Sequence, residues 1–171
     1  MAGKIESQAE DVSNPIFAIG YSNLPIAEFI DLLKLYGIQM VIDVRTIPKS
    51  RYQPDYNQED LKNTLKLVKI GYRHMRELGG LRHASKDSSN TGWINPPFRG
   101  FADYMQTQEF QKGLKKLEKI AQKKRCVLMC AEGNPLRCHR SLIADALSLK
   151  NGKPFMFKLR KHSKLTASLR F

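Results

Sequence analysis

Short apolar segments that alternate with segments of helical spacing constrain the fold of this chain more than any other feature. Ile16–Gly20, Gln39–Val44 and Cys126–Cys130 are apolar runs with the length of buried strands. Between and after them, apolar residues recur at helical spacing, as in Glu109–Lys124 and Cys138–Leu149. Strands that alternate with helices predict an α/β fold, with a mostly parallel sheet and helices on both faces.

The length of 171 residues fits one domain. We predict a flexible N-terminal segment over residues 1–15, the α/β domain over 16–160 and a basic C-terminal tail over 161–171. Within the domain, residues 79–99 are rich in Gly, Ser, Asn and Pro and predict a long loop.

The polar first residues do not resemble a secretory signal, and no apolar run approaches the roughly 18 residues of a membrane span. Three cysteines argue against a disulfide framework, so we expect a cytoplasmic protein without membrane association.

The positive charge of the chain is concentrated in two stretches. Its 29 Lys and Arg residues exceed its 16 Asp and Glu residues, which gives a net charge of +13. Residues 112–125 hold seven basic residues and one acidic residue, and residues 150–171 hold seven basic residues and no acidic one. Clustered basic side chains are typical of proteins that bind polyanions, although a solvated helix face and a basic tail explain them equally well.

Polar side chains follow three of the predicted strands, at the point where each strand ends. Ser22 follows the first strand, Asp43 and Arg45 end the second, and Cys130 and Glu132 end the last. In open parallel sheets, ligands bind outside the carboxyl ends of the strands. We therefore predict one shared site that is built from these five residues.

The loop after the last strand carries two thiols, Cys130 at its start and Cys138 at its end. Gly133 and Pro135 predict a tight turn, and such a loop before a helix can direct backbone N–H groups at an anion. A thiol close to a helix N-terminus has a lowered pKa and is a competent nucleophile. Either cysteine is a candidate nucleophile, and a buried core position is the alternative for each. The loop is similar to phosphatase and rhodanese loops, but six residues, rather than the five of tyrosine phosphatases, separate Cys130 from Arg137.

Three other side chains, those of Arg140, His139 and Arg51, complete the predicted site. Arg140 lies in the first turn of the last helix, where the helix dipole disfavours a cation, so it requires an anionic ligand or a salt bridge. His139 and Glu132 are candidates to carry a proton, and a hydrogen-bonded core position is the alternative for His139. Arg51 lies among tyrosines in the loop after the second strand, a combination that suits phosphate contacts and base stacking.

The sequence contains no pattern that predicts a metal or another cofactor. P-loop, dinucleotide-binding and HExxH motifs are absent from it. Cys126 and Cys130 would lie about 13 Å apart along a strand, too far to share a metal. Cys130, Cys138 and His139 would meet only if the loop folded back, so we expect no metal.

Several motifs together resemble the DUF488 family, a domain of unknown function. The motifs are Ile19–Ser22, Val41–Arg45, Leu78–Gly80, Phe101–Tyr104, Met129–Glu132 and Cys138–Arg140. The resemblance implies an α/β fold and supplies no reaction. It implies a site at Ser22, Asp43, Arg45, Arg51, Cys130, Glu132, Cys138, His139 and Arg140. Tyr21 stands where the family commonly has His, so no histidine role is carried over to that position.

These patterns lead to one main hypothesis and two alternatives. The main hypothesis is a thiol-dependent enzyme that acts on a phosphate-bearing small molecule or nucleic acid. Its anion would be bound by Arg45, Arg51 and Arg140. A non-catalytic nucleic-acid-binding module is the first alternative. A sulfur carrier is the second, because Val41–Arg45 is also similar to a strand of rhodanese-like domains.

Overall fold

The computed structural model describes residues 15–151 and 156–158 of the protein, and its centre is a parallel sheet. The strands in chain order are β1 (Ile16–Gly20), β2 (Met40–Asp43), β3 (Gly71–His74), β4 (Cys126–Cys130) and β5 (Met156–Lys158). In space they are ordered β3-β2-β4-β1-β5, and each of the described pairings is parallel. The predicted α/β fold is confirmed.

Helices cover both faces of the sheet because strand side chains alternate between the faces. The helices are α1 (Ile26–Leu35), α2 (Gln58–Leu67), α3 (Pro96–Met105), α4 (Gln108–Ala121) and α5 (Arg140–Asn151). Val127 and Met129 of β4 pack in one core cluster with residues of α1 and α2. Cys126 and Leu128, the alternate residues of the same strand, pack with residues of α3, α4 and α5.

Two helices begin at residues that differ from the sequence prediction. α3 begins at Pro96, inside the segment predicted as loop, because proline is well tolerated in a first helical turn. The side chain of Asn95 caps this helix by accepting a hydrogen bond from the backbone N–H of Phe98. α5 begins at Arg140 rather than at Cys138, since Cys138 has extended backbone angles of φ −130° and ψ 140°.

The position of β4 between β1 and β2 determines where the predicted site residues lie. Gly20 of β1 is in register with Cys130, and Asp43 of β2 is in register with Met129. The three strands run in the same direction, so their carboxyl ends meet at one edge of the sheet.

The predicted N-terminal segment, apart from Pro15, and the basic tail lie outside the described residues. The division of the chain into these segments and one domain therefore stays a prediction. In the part of the chain that the structure describes, no helix combines the length and the apolar character needed to cross a membrane.

Gly20 allows the loop after β4 to approach β1, and this contact yields a stability prediction. A Cβ atom at Gly20 would lie 1.8 Å from the backbone oxygen of Glu132 and 2.8 Å from Cα of Gly133. We expect Gly20→Ala to lower the free energy of unfolding by about 1–3 kcal/mol, because a fixed backbone must move to relieve the clash. Urea unfolding measures the change.

Gly92→Ala is the matched control for this experiment. No atom lies within 4 Å of a Cβ placed at Gly92, so we expect a change within about 0.5 kcal/mol. Equal unfolding midpoints for the two variants would contradict the close approach at Gly20.

Candidate active site at the carboxyl ends of the strands

Backbone hydrogen bonds join the ends of the three central strands. The N–H of Tyr21 donates to the carbonyl oxygen of Cys130 at 3.1 Å, and the N–H of Val44 donates to that of Met129 at 3.1 Å. The residues that follow β1, β2 and β4 therefore begin from adjacent points. This is the edge of the sheet at which the sequence predicts a site.

A buried ion pair lies at the end of β2. Nε of Arg45 donates to Oδ1 of Asp43 at 2.9 Å, and Nη2 donates to Oδ2 at 2.6 Å. Asp43 is fully buried, Arg45 is 5% exposed, and hydroxyl groups surround them. Nη1 of Arg45 donates to the hydroxyl of Tyr21 at 3.1 Å, and the hydroxyl of Tyr72 donates to Oδ2 of Asp43 at 2.6 Å.

The contacts around the buried ion pair shift the pKa values of Arg45 and Tyr72. Burial alone would lower the pKa of Arg45, but the hydrogen bonds and charge of Asp43 raise it above the ordinary value. Burial and the same carboxylate raise the pKa of Tyr72. The guanidinium of Arg45 thus remains charged, and three of its nitrogens already have partners within the protein. These contacts link the residue that follows β2 to Asp43 and to Tyr21, which follows β1.

A second cluster joins the loop after β4 to the beginning of α5. The sulfur atoms of Cys130 and Cys138 and a ring nitrogen of His139 all lie within 4.8 Å of one another. Nε of Arg140 donates to Sγ of Cys138 at 3.1 Å. Arg140 is 1% exposed and Cys138 is 4% exposed, whereas Cys130 and His139 are half-buried. The loop therefore folds back and brings together Cys130, Cys138 and His139, three of the four predicted catalytic residues.

The orientation of His139 follows from its surroundings. Its Nε2 lies 2.9 Å from the carbonyl oxygen of Val44, and because a carbonyl only accepts, Nε2 carries the hydrogen. Nδ1 then faces Sγ of Cys138 at 3.7 Å. Gly80 leaves room for the ring, since a Cβ at that position would lie 2.9 Å from Nδ1. The side chain is therefore hydrogen-bonded and also adjacent to a thiol, and its role as a proton carrier stays a prediction.

The two thiols have opposite titration behaviour. The hydrogen bond from Cys130 and the proximity of His139 and Arg140 lower the pKa of Cys138 well below the usual thiol range, although burial opposes the shift. The same hydrogen bond and burial raise the pKa of Cys130. In the third cysteine, Cys126, burial raises the pKa to about 11. Thiolate character is therefore favoured at Cys138 over Cys130.

Several backbone N–H groups of the loop after β4 donate hydrogen bonds to acceptors within the same loop. The N–H of Asn134 donates to the Glu132 carboxylate at 2.8 Å, and the N–H of Leu136 donates to the Asn134 side chain at 3.0 Å. The N–H groups of Arg137 and Cys138 donate to carbonyl oxygens of the same loop. The expected cradle of free N–H groups is therefore not formed by these four residues. Arg140 fixes the loop from the other side, because its Nη2 donates to the carbonyl oxygen of Glu132.

Ser22 and Arg51 are predicted site residues that are exposed in the structure. Ser22 is exposed, has a positive φ of 41°, and is close to Gly133 of the loop. Arg51 is exposed, and its guanidinium lies 6.0 Å from the ring of Tyr52. Ser22 thus borders the site, whereas Arg51 belongs to the loop that follows β2.

The donor atoms of Cys130, Cys138 and His139 form a set of the kind that Zn²⁺ accepts. The guanidinium of Arg140, however, points a positive charge at Sγ of Cys138 from 3.1 Å, which disfavours a dication at that sulfur. We therefore interpret the cluster as a thiol site.

Sequence reasoning missed three polar side chains of the site, namely Tyr21, Tyr72 and His74. Tyr72 and His74 belong to β3, and Nε2 of His74 donates to the carbonyl oxygen of Arg45 at 2.7 Å. The sequence could have indicated Tyr72 and His74, because parallel pairing of β3 with β2 places the end of β3 beside Asp43. Tyr21 stacks on Tyr56 with ring centroids 3.9 Å apart, a contact between residues distant in the chain.

Comparison with known proteins identifies a family and no characterised relative. Neither a curated protein nor a solved structure matches the chain. Residues 25–147 match the family described as "Domain of unknown function DUF488". The match spans more than half of the chain and includes the ends of β2, β3 and β4 together with the first part of α5. The chain therefore belongs to the DUF488 family.

Proposed function

We propose that this protein is a thiol-dependent enzyme in which Cys138 attacks a phosphate-bearing ligand. The observation that carries the proposal is the hydrogen bond from Nε of the buried Arg140 to Sγ of Cys138. A guanidinium held against a sulfur atom favours the thiolate, which is the nucleophilic form of cysteine. Cys138 also lies two residues before Arg140, the first residue of α5. The N-terminal end of a helix stabilises negative charge.

The side chains around Cys138 suit a covalent mechanism. Sγ of Cys138 attacks phosphorus, the bond from phosphorus to the leaving oxygen breaks, and the phosphoryl group is held on sulfur. The leaving oxygen takes a proton from His139. Water then attacks phosphorus, the phosphorus–sulfur bond breaks, the Cys138 thiolate leaves, His139 takes a proton from the water and phosphate is released. His139 is placed to carry the proton, because its Nδ1 lies 3.7 Å from the sulfur. The Glu132 carboxylate holds the turn of the loop instead.

Exposed basic residues at this edge of the sheet favour an anionic ligand. Arg51 follows β2 and Arg137 follows β4, and both are exposed. Arg45 and Arg140 have buried partners, so in this proposal they position the site and the sulfur rather than reach the ligand. The charge of the exposed pair attracts a phosphate group to the loops that surround Cys138.

A stripe of lysines on α4 favours a second candidate function, the binding of a nucleic acid. Lys112, Lys115, Lys116 and Lys119 of α4 recur at helical spacing and are exposed, and Lys123, two residues after the end of α4, is exposed too. One of them, Lys116, pairs with Glu77 at 3.0 Å. A row of lysines with helical spacing suits contacts with the phosphates of a duplex, which do not depend on base sequence. This function requires no thiol, so it would persist in Cys130→Ser and Cys138→Ser.

The lowered pKa of Cys138 predicts an alkylation profile that is almost independent of pH. An ordinary thiol with a pKa of about 8.5 reacts about 80-fold more slowly at pH 6 than at pH 8, because its thiolate fraction falls. We expect Cys138 to react with iodoacetamide at rates within about twofold across this range, since it remains a thiolate. Mass spectrometry of the tryptic peptide 138–140, in a buffer with a chelator, measures the rate.

Two controls make the alkylation experiment specific. The Cys138→Ser variant should lose the pH-independent reaction, and Cys126→Ser should retain it, because Cys126 is fully buried at the other end of β4. Inorganic phosphate should slow the reaction more than chloride at equal ionic strength if the site binds a phosphate group. A rate for Cys138 that falls about 80-fold between pH 8 and pH 6 would exclude it as the nucleophile.

The lysine stripe predicts a charge-dependent change in duplex binding. We expect the double substitution Lys115→Gln and Lys119→Gln to reduce the slope of log K against log salt by up to about 2, since each phosphate contact contributes about 0.9. Fluorescence anisotropy with a short DNA duplex measures both slope and affinity.

The double substitution Lys62→Gln and Lys66→Gln on α2 is the matched control. It removes the same charge at the same spacing from exposed positions, but α2 packs on the other face of the sheet. An equal loss of affinity in both double variants would show that net charge, and not the stripe, attracts the duplex.

A further inference from the structure

We infer that Cys130 and Cys138 form a reversible disulfide that disables the nucleophile. The sulfur atoms of the two residues lie within 4.8 Å of each other, and all three cysteines of the chain are free thiols in the structure. A disulfide requires a sulfur–sulfur distance of about 2.05 Å, so one or both side chains must move towards each other. The inference rests on the proposed function for its consequence, because the bond would remove the thiolate of Cys138. Formation of the bond itself does not depend on that function.

The loop between the two cysteines allows this movement. It contains residues 131–137, and most of them are exposed. The internal hydrogen bonds of Asn134 and Leu136 are exposed to solvent. Exposed loop hydrogen bonds open more easily than those of a buried strand. The backbone of Cys130 is anchored through the bond from Tyr21, so the two cysteine side chains and the exposed part of the loop are the parts that shift.

The electrostatics of the pair suit oxidation by a hydroperoxide. Thiolate oxidation begins on the sulfur with thiolate character, and Arg140 holds Cys138 in that form. The thiolate attacks the terminal oxygen of the hydroperoxide, the O–O bond breaks, and the leaving oxygen takes a proton to give an alcohol, or water from hydrogen peroxide. Cys138 is then a sulfenic acid.

Cys130 completes the reaction as the resolving thiol. Its sulfur attacks Sγ of Cys138, the sulfur–sulfur bond forms, and the sulfur–oxygen bond breaks. The departing hydroxide combines with the proton of Cys130 to give water. The two sulfurs together lose two electrons, which reduce the hydroperoxide, and a dithiol reductant restores both thiols.

Cys126 provides an internal comparison. It is fully buried and lies four positions before Cys130 on an extended strand, a distance of about 13 Å. Burial also raises its pKa to about 11, so it has little thiolate character. Neither a disulfide with Cys130 nor direct oxidation is expected at this residue.

The test is mass spectrometry of the full chain after treatment with hydrogen peroxide in a buffer with a chelator. Trypsin cleaves after Arg125, Arg137 and Arg140, so the disulfide joins peptide 126–137 to peptide 138–140. We use Cys126→Ser as the starting protein, because peptide 126–137 then contains a single cysteine. The expected result is the loss of two hydrogen atoms, one crosslinked peptide pair, and recovery of both thiols with dithiothreitol.

A second variant separates this inference from the proposed function. In Cys130→Ser the disulfide cannot form, and dimedone should trap the sulfenic acid of Cys138 in place of the crosslink. Higher oxides of Cys138 in the protein that retains Cys130, or a crosslink between two chains, would overturn the inference. The proposed function is tested on the reduced protein by the alkylation profile, so either result can fail alone.

Discussion

A guanidinium buried at the beginning of a helix is the constraint on which the site depends. Arg140 is the first residue of α5, where unpaired backbone N–H groups already carry partial positive charge. A cation buried there needs acceptors, and Sγ of Cys138 and the carbonyl oxygen of Glu132 supply them. These two contacts draw the loop after β4 towards the strand ends. Gly20 makes room for the carbonyl oxygen of Glu132, so a residue of β1 takes part in the same arrangement.

The fold and the location of the site could be predicted because both depend on local patterns. The apolar runs and the helical spacing correspond to the parallel sheet and its two helical layers. The polar residues that follow β1, β2 and β4 meet because parallel strands share an edge. The ion pair could also have been predicted from the sequence, because residues two apart in an extended chain point to the same face, as Asp43 and Arg45 do.

The roles within the site could not be predicted, because they depend on contacts between distant parts of the chain. The proposed choice of Cys138 over Cys130 as the nucleophile rests on the direction of the Arg140 side chain. The orientation of His139 is decided by the carbonyl oxygen of Val44, 95 residues earlier. The two prolines at the beginning of α3 were interpreted as loop residues, although proline is also well tolerated in a first helical turn.

The order of the strands has a consequence for the synthesis of the protein. β1 and β2 are not paired with each other, because β4 lies between them in the sheet. More than 80 residues separate β2 from β4 in the chain. A nascent chain that ends before residue 126 can pair β2 with β3, but it leaves β1 without a neighbour. Long-range parallel pairing of this kind is slow to form. β4, which completes the centre of the sheet, also carries Cys130 and precedes Cys138, so the two sulfur atoms can meet only after this central strand has been synthesised.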